Sequence, residues 1–276
     1  MFSDDGGLNI TIRLEAVTWF RFLQASRAAN SLNGGWNSKR HWQKGLKSLS
    51  CRGTNFLKEW TEKSLSAKDP EPREAKFMFE RNLSKERSLL LNPELLRKGD
   101  SLADLSENEI NARLYHDIGH SLWGRSIGYE IPLAAESDGQ LKLDIFAIGN
   151  DKRSLEIIEL KKASNTSDSP LMALTEAICY GIQLVRCRKY LLKDKVLKGN
   201  FVSAKHFKCI RLILAAPRQY WEHWKWNERL VGSMRNIVDL VNKGLVVQNA
   251  ELLFDKRSIC HLEDALPPRK SVSEMV

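Results

Sequence analysis

Two short runs near the middle of the chain limit the fold more than any other feature. Residues 140–148 (QLKLDIFAI) and 155–162 (LEIIELKK) both read as β-strands, and both place a carboxylate among aliphatic side chains. Side chains alternate along a strand, so Leu141, Leu143, Ile145 and Ala147 share one face and Lys142, Asp144, Phe146 and Ile148 the other. In the second run Leu155, Ile157, Glu159 and Lys161 share a face. A buried carboxylate is costly unless it is paired or bound to a cation. If Leu155 pairs with Ile148 across the six residues 149–154, Asp144 falls opposite Glu159, at a Cβ separation of about 4.5–5.5 Å. Two carboxylates in that position repel, and a hard oxygen-seeking cation such as Mg²⁺ or Mn²⁺ resolves the conflict. Lys161, on the same face, can then touch a phosphate oxygen or orient a water, which together with the cation meets the needs of phosphodiester hydrolysis. A slip of one residue removes the juxtaposition. The competing account makes Asp144 a strand-end acid paired with Lys142 or Lys162 on a sheet edge.

The flanking sequence supplies further elements. Ser106 and Glu109 form a capping box, and Ile110, Leu114, Ile118 and Leu122 recur at helical spacing as far as Gly124. Residues 127–135 read as a strand preceding the two acidic ones, giving a mainly antiparallel meander. Pro170 opens a helix over 170–192, and residues 209–216 (CIRLILAA), closed by Pro217, read as a strand buried on both faces. The predicted order is helix, three strands, helix, strand.

Asp144, followed after the hairpin by Glu159-Leu160-Lys161, resembles the Asp…(Asp/Glu)-x-Lys signature of the PD-(D/E)xK nuclease superfamily. The resemblance covers about residues 106–217. It implies a restriction-endonuclease-like αβββαβ core around a mixed sheet, in an α/β fold. It further implies that Asp144, Glu159 and the backbone carbonyl of Leu160 hold Mg²⁺ or Mn²⁺, and that Lys161 positions or activates the attacking water. Glu109 lies on the leading helix where that family carries an accessory Glu, with Glu107 competing for the place. A Gln-x-x-x-Tyr pair found in some branches is met here by Glu176 and Tyr180, with Gln183 one turn further on. Two departures are plain: Glu replaces that Gln, and Leu143 replaces the proline before Asp144. The implied activity is a metal-dependent nuclease acting on nucleic acid, DNA being the expected form, and a homodimer is compatible with the family.

The charge balance points the same way. The 276 residues carry 43 Lys and Arg against 34 Asp and Glu, a net +9 that favours polyanionic partners. Residues 1–100 hold most of the excess and read as a mainly helical, basic region, followed by the nuclease-like domain at 101–265 and a solvated tail at 266–276. Lys39, Arg40, Lys44 and Lys47, interleaved with aromatic residues, are candidates for nucleic-acid binding, as are Arg218 and Lys225 beside a tryptophan cluster. In that cluster Trp221 and Trp224 stand at i and i+3, a spacing suited to packing a helix onto the core and, alternatively, to stacking on bases. Five scattered cysteines give neither a disulfide framework nor a zinc ribbon. Asp4 and Asp5 are unlike a signal peptide, and no apolar run is long enough for a membrane helix, so an intracellular location is expected, cytoplasmic or, in a eukaryote, nuclear, with no membrane partner. Two alternatives remain: a non-catalytic nucleic-acid-binding module on the same fold, and a helical metal phosphohydrolase of the HD type using His116 and Asp117. The HD type also needs an upstream metal-binding His, and the only one here is His41.

Overall fold

The computed structural model of the chain describes residues 39, 41–52, 54–66, 110–111, 114–115, 123–132, 142–193 and 202–259. They form a mixed α/β fold around a five-stranded sheet. The strands are β1 (Arg125–Pro132), β2 (Lys142–Ile148), β3 (Leu155–Leu160), β4 (Cys209–Pro217) and β5 (Glu251–Ile259). They lie side by side in chain order. The first three form an antiparallel meander, whereas β3, β4 and β5 run parallel. Parallel neighbours need crossovers, and helices supply both: α3 (Pro170–Leu191) joins β3 to β4, while α4 (Arg218–His223) and α5 (Arg229–Leu245) lie between β4 and β5. The predicted meander, helix and buried strand stand close to their expected bounds. Strand β5 and helix α5 were not anticipated.

Turn chemistry fixes the register of the β2–β3 hairpin. The Asp151 carboxylate accepts hydrogen bonds from the backbone N–H of Arg153 and of Ser154 and from the Ser154 hydroxyl. The Lys152 N–H donates to the Gly149 carbonyl, and Lys152 itself holds a left-handed φ of 52°. Arg211 on β4 braces the turn with a 3.0 Å ion pair to Asp151. Burial pulls the Asp151 pKa upward, but these hydrogen bonds and the Arg211 charge leave it below the ordinary value. With the turn so held, Ile148 pairs with Leu155 and Ile145 with Ile158, as expected from sequence.

Both sheet faces are buried. All six residues of β3 are inaccessible, as a central strand covered on both sides requires. One face, with Phe146, Ile148, Leu155, Ile157, Leu212 and Leu252, packs against α3 and α5. The other, with Ile145, Ala147, Ile158, Leu160 and Ile213, meets Ile110 and Leu114, which lie in helical conformation. Helix α3 begins at Pro170, where a missing N–H costs nothing, and the Ser169 hydroxyl accepts from the Met172 N–H. Helices α1 (Trp42–Arg52) and α2 (Thr54–Ser66) contribute Trp42, Leu46, Leu49, Leu57 and Trp60 to the same core as α3 and α5. Contact between α2 and α5 is close at Gly244, where an added Cβ would lie 2.6 Å from Thr61 Cβ. No helix among the described residues is long and apolar enough to cross a membrane.

Candidate active site

Asp144 and Glu159 meet where β3 and β4 end, because the hairpin register carries the pair two steps beyond Phe146 and Ile157. One Asp144 oxygen accepts the Leu160 N–H at 2.7 Å, and the other accepts the Asn111 side-chain amide at 3.0 Å. Asp144 is thus tied to β3 on one side and to the helical segment over the opposite face on the other. The backbone N–H of Lys161 donates to the Ala215 carbonyl, which extends the β3–β4 ladder one residue past the strand and fixes the lysine at its end.

The Lys161 ammonium is held between two buried carboxylates, 2.5 Å from Glu159 Oε1 and 3.2 Å from Glu176 Oε2. Glu176 comes from α3, one helical turn before Tyr180, so both residues face the ends of the strands. Burial drives the Glu159 pKa well above the ordinary carboxylate value; the Lys161 charge opposes this, and Asp144 and Glu176 reinforce it. The Tyr180 phenol is likewise pushed well up by burial and then by Glu159, Glu176 and Asp144, so these five residues share one electrostatic environment. Tyr220, on α4, donates from its hydroxyl to the Asp168 carbonyl at 2.8 Å and pins the loop between Lys161 and α3.

Glu159 Oε2 is buried and has no hydrogen-bond partner among the described residues. A buried acceptor of this kind loses its hydration without replacement, unless a cation takes its place. Among the described residues no group of three or more His, Cys, Asp or Glu side chains is arranged to hold a metal ion. A Mg²⁺ site needs fewer protein ligands than that, since this ion keeps several waters and is commonly held by one or two carboxylates plus substrate phosphates. Asp144, Glu159 and the Leu160 carbonyl fit such an open site by donor chemistry: all are hard oxygens, and one is unsatisfied.

No family model, curated protein or solved structure matches the chain. The site is therefore read from its own chemistry. Asp144, Glu159, Lys161, Glu176 and Tyr180 come together as the sequence suggested, and Gln183 bonds through its side-chain oxygen to Arg186 one turn on. Glu109, Glu107, Arg40, His116 and Asp117 lie outside the described residues. Asn111 was missed from sequence; it stands two residues after Glu109 and is the described residue of the leading segment that reaches Asp144. Helical spacing from the capping box marked Ile110 and Leu114 as core but left the polar positions between them unranked.

The basic candidates also converge. Lys39, Lys44 and Lys47 are exposed on and just before α1, and Arg218 and Lys225 flank α4. Helix α1 docks on the turn after α4: Trp42 Nε1 donates to the Trp224 carbonyl at 3.1 Å and Gln43 Nε2 to the Lys225 carbonyl at 3.0 Å. Trp221 and Trp224 are buried, so of their two readings the structure takes the packing one. Arg218 is engaged by Glu222 at 2.6 Å.

Proposed function

We propose that the chain is a divalent-metal-dependent nuclease with a restriction-endonuclease-like core, acting inside the cell on nucleic acid, DNA foremost. The observation that carries the reading is the meeting of Asp144 and Glu159 beside Lys161 at the carboxyl ends of the parallel strands, with one Glu159 oxygen buried and unpartnered. Open α/β sheets bind their ligands outside these strand ends. The antiparallel meander, the α3 crossover and the parallel β4 agree with the element order of that core.

In this reading Asp144, Glu159 and the Leu160 carbonyl hold Mg²⁺ or Mn²⁺, which when bound supplies positive charge for the phosphate oxygens and acidifies a coordinated water. Lys161, gripped by Glu159 and Glu176, is fixed in position to orient the attacking water. Asn111 and the Leu160 N–H aim the Asp144 carboxylate. Hydrolysis forms a bond from the water oxygen to phosphorus while the bond to the leaving ester oxygen breaks. Tyr180 and Tyr220 wall the site with bulky rings that limit water.

The test is incubation of wild type and the Glu159→Ala, Lys161→Ala double variant with labelled linear, branched and single-stranded DNAs and RNAs in Mg²⁺, Mn²⁺ or EDTA. Cleavage by wild type alone, abolished by EDTA, is expected. Salt-sensitive binding by both proteins with no cleavage in any metal would make the chain a non-catalytic nucleic-acid-binding module.

A further inference from the structure

Helix α4 ends in a turn that would ordinarily call for glycine. The Trp226 N–H donates to the Trp221 carbonyl and the Lys225 N–H to the Glu222 carbonyl, the paired bonds of a Schellman motif. The residue at its left-handed position is Lys225, with φ of 51°. Glycine occupies such positions without steric penalty, whereas a lysine there is strained by its Cβ. The side chain is exposed, so burial does not repay the strain.

The surroundings suggest what does. The Lys225 carbonyl accepts the Gln43 side chain from α1, so the turn and the helix are locked together across 182 residues of sequence. Lys47 stands one turn beyond Gln43 on the same stripe of α1, and Lys39 lies three residues before the helix begins. Lys39 is also close enough to His223 for its charge, after burial, to hold the imidazole below its usual pKa. The acids closest to Lys225 in sequence are already engaged, Glu222 by Arg218 and Glu228 by Lys256. No carboxylate among the described residues forms an ion pair with Lys39, Lys47 or Lys225. Helix α4 leads directly from the carboxyl end of β4, and its Tyr220 feels the charges of Lys161, Asp168, Glu176 and Glu159. Lys225 thus stands just past the far end of the short helix that leaves β4 beside the carboxylate site.

We propose that Lys39, Lys47 and Lys225 form a phosphate-contacting ridge that carries a nucleic-acid backbone toward the Asp144–Glu159 site, and that Lys225 is kept at its strained position for that contact. The proposal rests on nucleic acid being the partner and is independent of whether the strand is cut. The experiment measures binding of a fluorescein-labelled 30-base-pair DNA duplex in EDTA over a series of salt concentrations. Lys225→Gly should lower the slope of log affinity against log salt by about 0.9, which is about eightfold weaker binding at 0.1 M salt if the difference vanishes near 1 M. Its unfolding midpoint should equal or exceed that of wild type, because glycine relieves the turn. Lys225→Arg should bind as wild type does, and the Lys47→Gln, Lys225→Gly double variant should lose about 2 units of slope.

An unchanged slope in Lys225→Gly would overturn the assignment, as would a lowered unfolding midpoint, which would show that the lysine serves the fold. Cleavage assayed separately in Mg²⁺ keeps the two readings apart. A wild type that cuts, with an unaltered slope in Lys225→Gly, sinks the ridge alone; a wild type that never cuts, with the slope reduced, sinks the nuclease reading alone.

Discussion

Replacing Lys161 with methionine tests the electrostatics of the site without invoking catalysis. Lys161 bridges Glu159 and Glu176 at 2.5 and 3.2 Å, and all three side chains are almost wholly buried. At an effective dielectric constant of about 20, a unit-charge pair near 3 Å attracts by about 5 kcal/mol before desolvation is counted. Removing one partner of a buried ion pair costs about 3–5 kcal/mol net, because the remaining charge is stranded. Here two carboxylates are stranded, beside Asp144. The cost depends on pH, and its sign follows from Glu159, whose folded pKa burial raises well above the ordinary glutamate value. A raised acid favours folding while protonated, so its contribution is fully present below about 4.5 and is lost as pH rises toward the folded value. Lys161 holds that value down, and its loss extends the decline to higher pH. Urea denaturation in EDTA should therefore show Lys161→Met destabilised by about 3 kcal/mol or more near pH 8 and by much less near pH 5. Adding Glu159→Gln to the variant should recover much of the loss near pH 8. A destabilisation under about 1 kcal/mol, or one equal at both pH values, would refute the buried-triad account.

Three further outcomes are expected. Mg²⁺ should raise the unfolding midpoint of wild type, by about 2.7 kcal/mol of stability at a hundredfold excess over its dissociation constant, and should leave Asp144→Asn and Glu159→Gln unmoved; equal shifts in all three by differential scanning fluorimetry would place the ion elsewhere. Gly244→Ala should cost about 1–3 kcal/mol, since its Cβ would lie 2.6 Å from Thr61 Cβ and 2.8 Å from the Lys58 carbonyl oxygen. On the same helix Gly232 has no atom within 4 Å of a built Cβ, and Gly232→Ala should stabilise by about 0.5–1 kcal/mol. If both variants unfold alike, α2 is not packed on α5 as described.

The hairpin was legible because three independent signals agreed. Alternation along β2 and β3, a polar six-residue connection and the placement of Asp144 and Glu159 all imply one register, and that register is the observed one. Helix α3 was legible from Pro170 and its long apolar pattern, and β4 from its uninterrupted apolar run. Strand β5 was obscured by its edge position. Over residues 251–258 only Leu252 and Phe254 are buried, and the charged residues Asp255, Lys256 and Arg257 dilute the alternation. The partners of the site residues were out of reach for a different reason. That Glu176 would clamp Lys161, and that Asn111 would meet Asp144, depends on how α3 and the leading segment lie against the sheet, which local patterns do not encode.

The carboxylates pose a problem for any phosphate that approaches them. Asp144, Glu159 and Glu176 surround one lysine, so the site alone repels a polyanion unless a cation is present. A net +9 supplies attraction at a distance, but steering requires that the positive charge sit beside the acids rather than anywhere on the surface. The proposed ridge at the α1–α4 junction would supply it, because α4 follows β4 directly and α1 is tied to its end through Gln43. The N-terminal helices then have a physical reason to share the core of the sheet: anchored through Trp42 and Gln43, they hold the basic ridge at a fixed offset from Asp144 and Glu159.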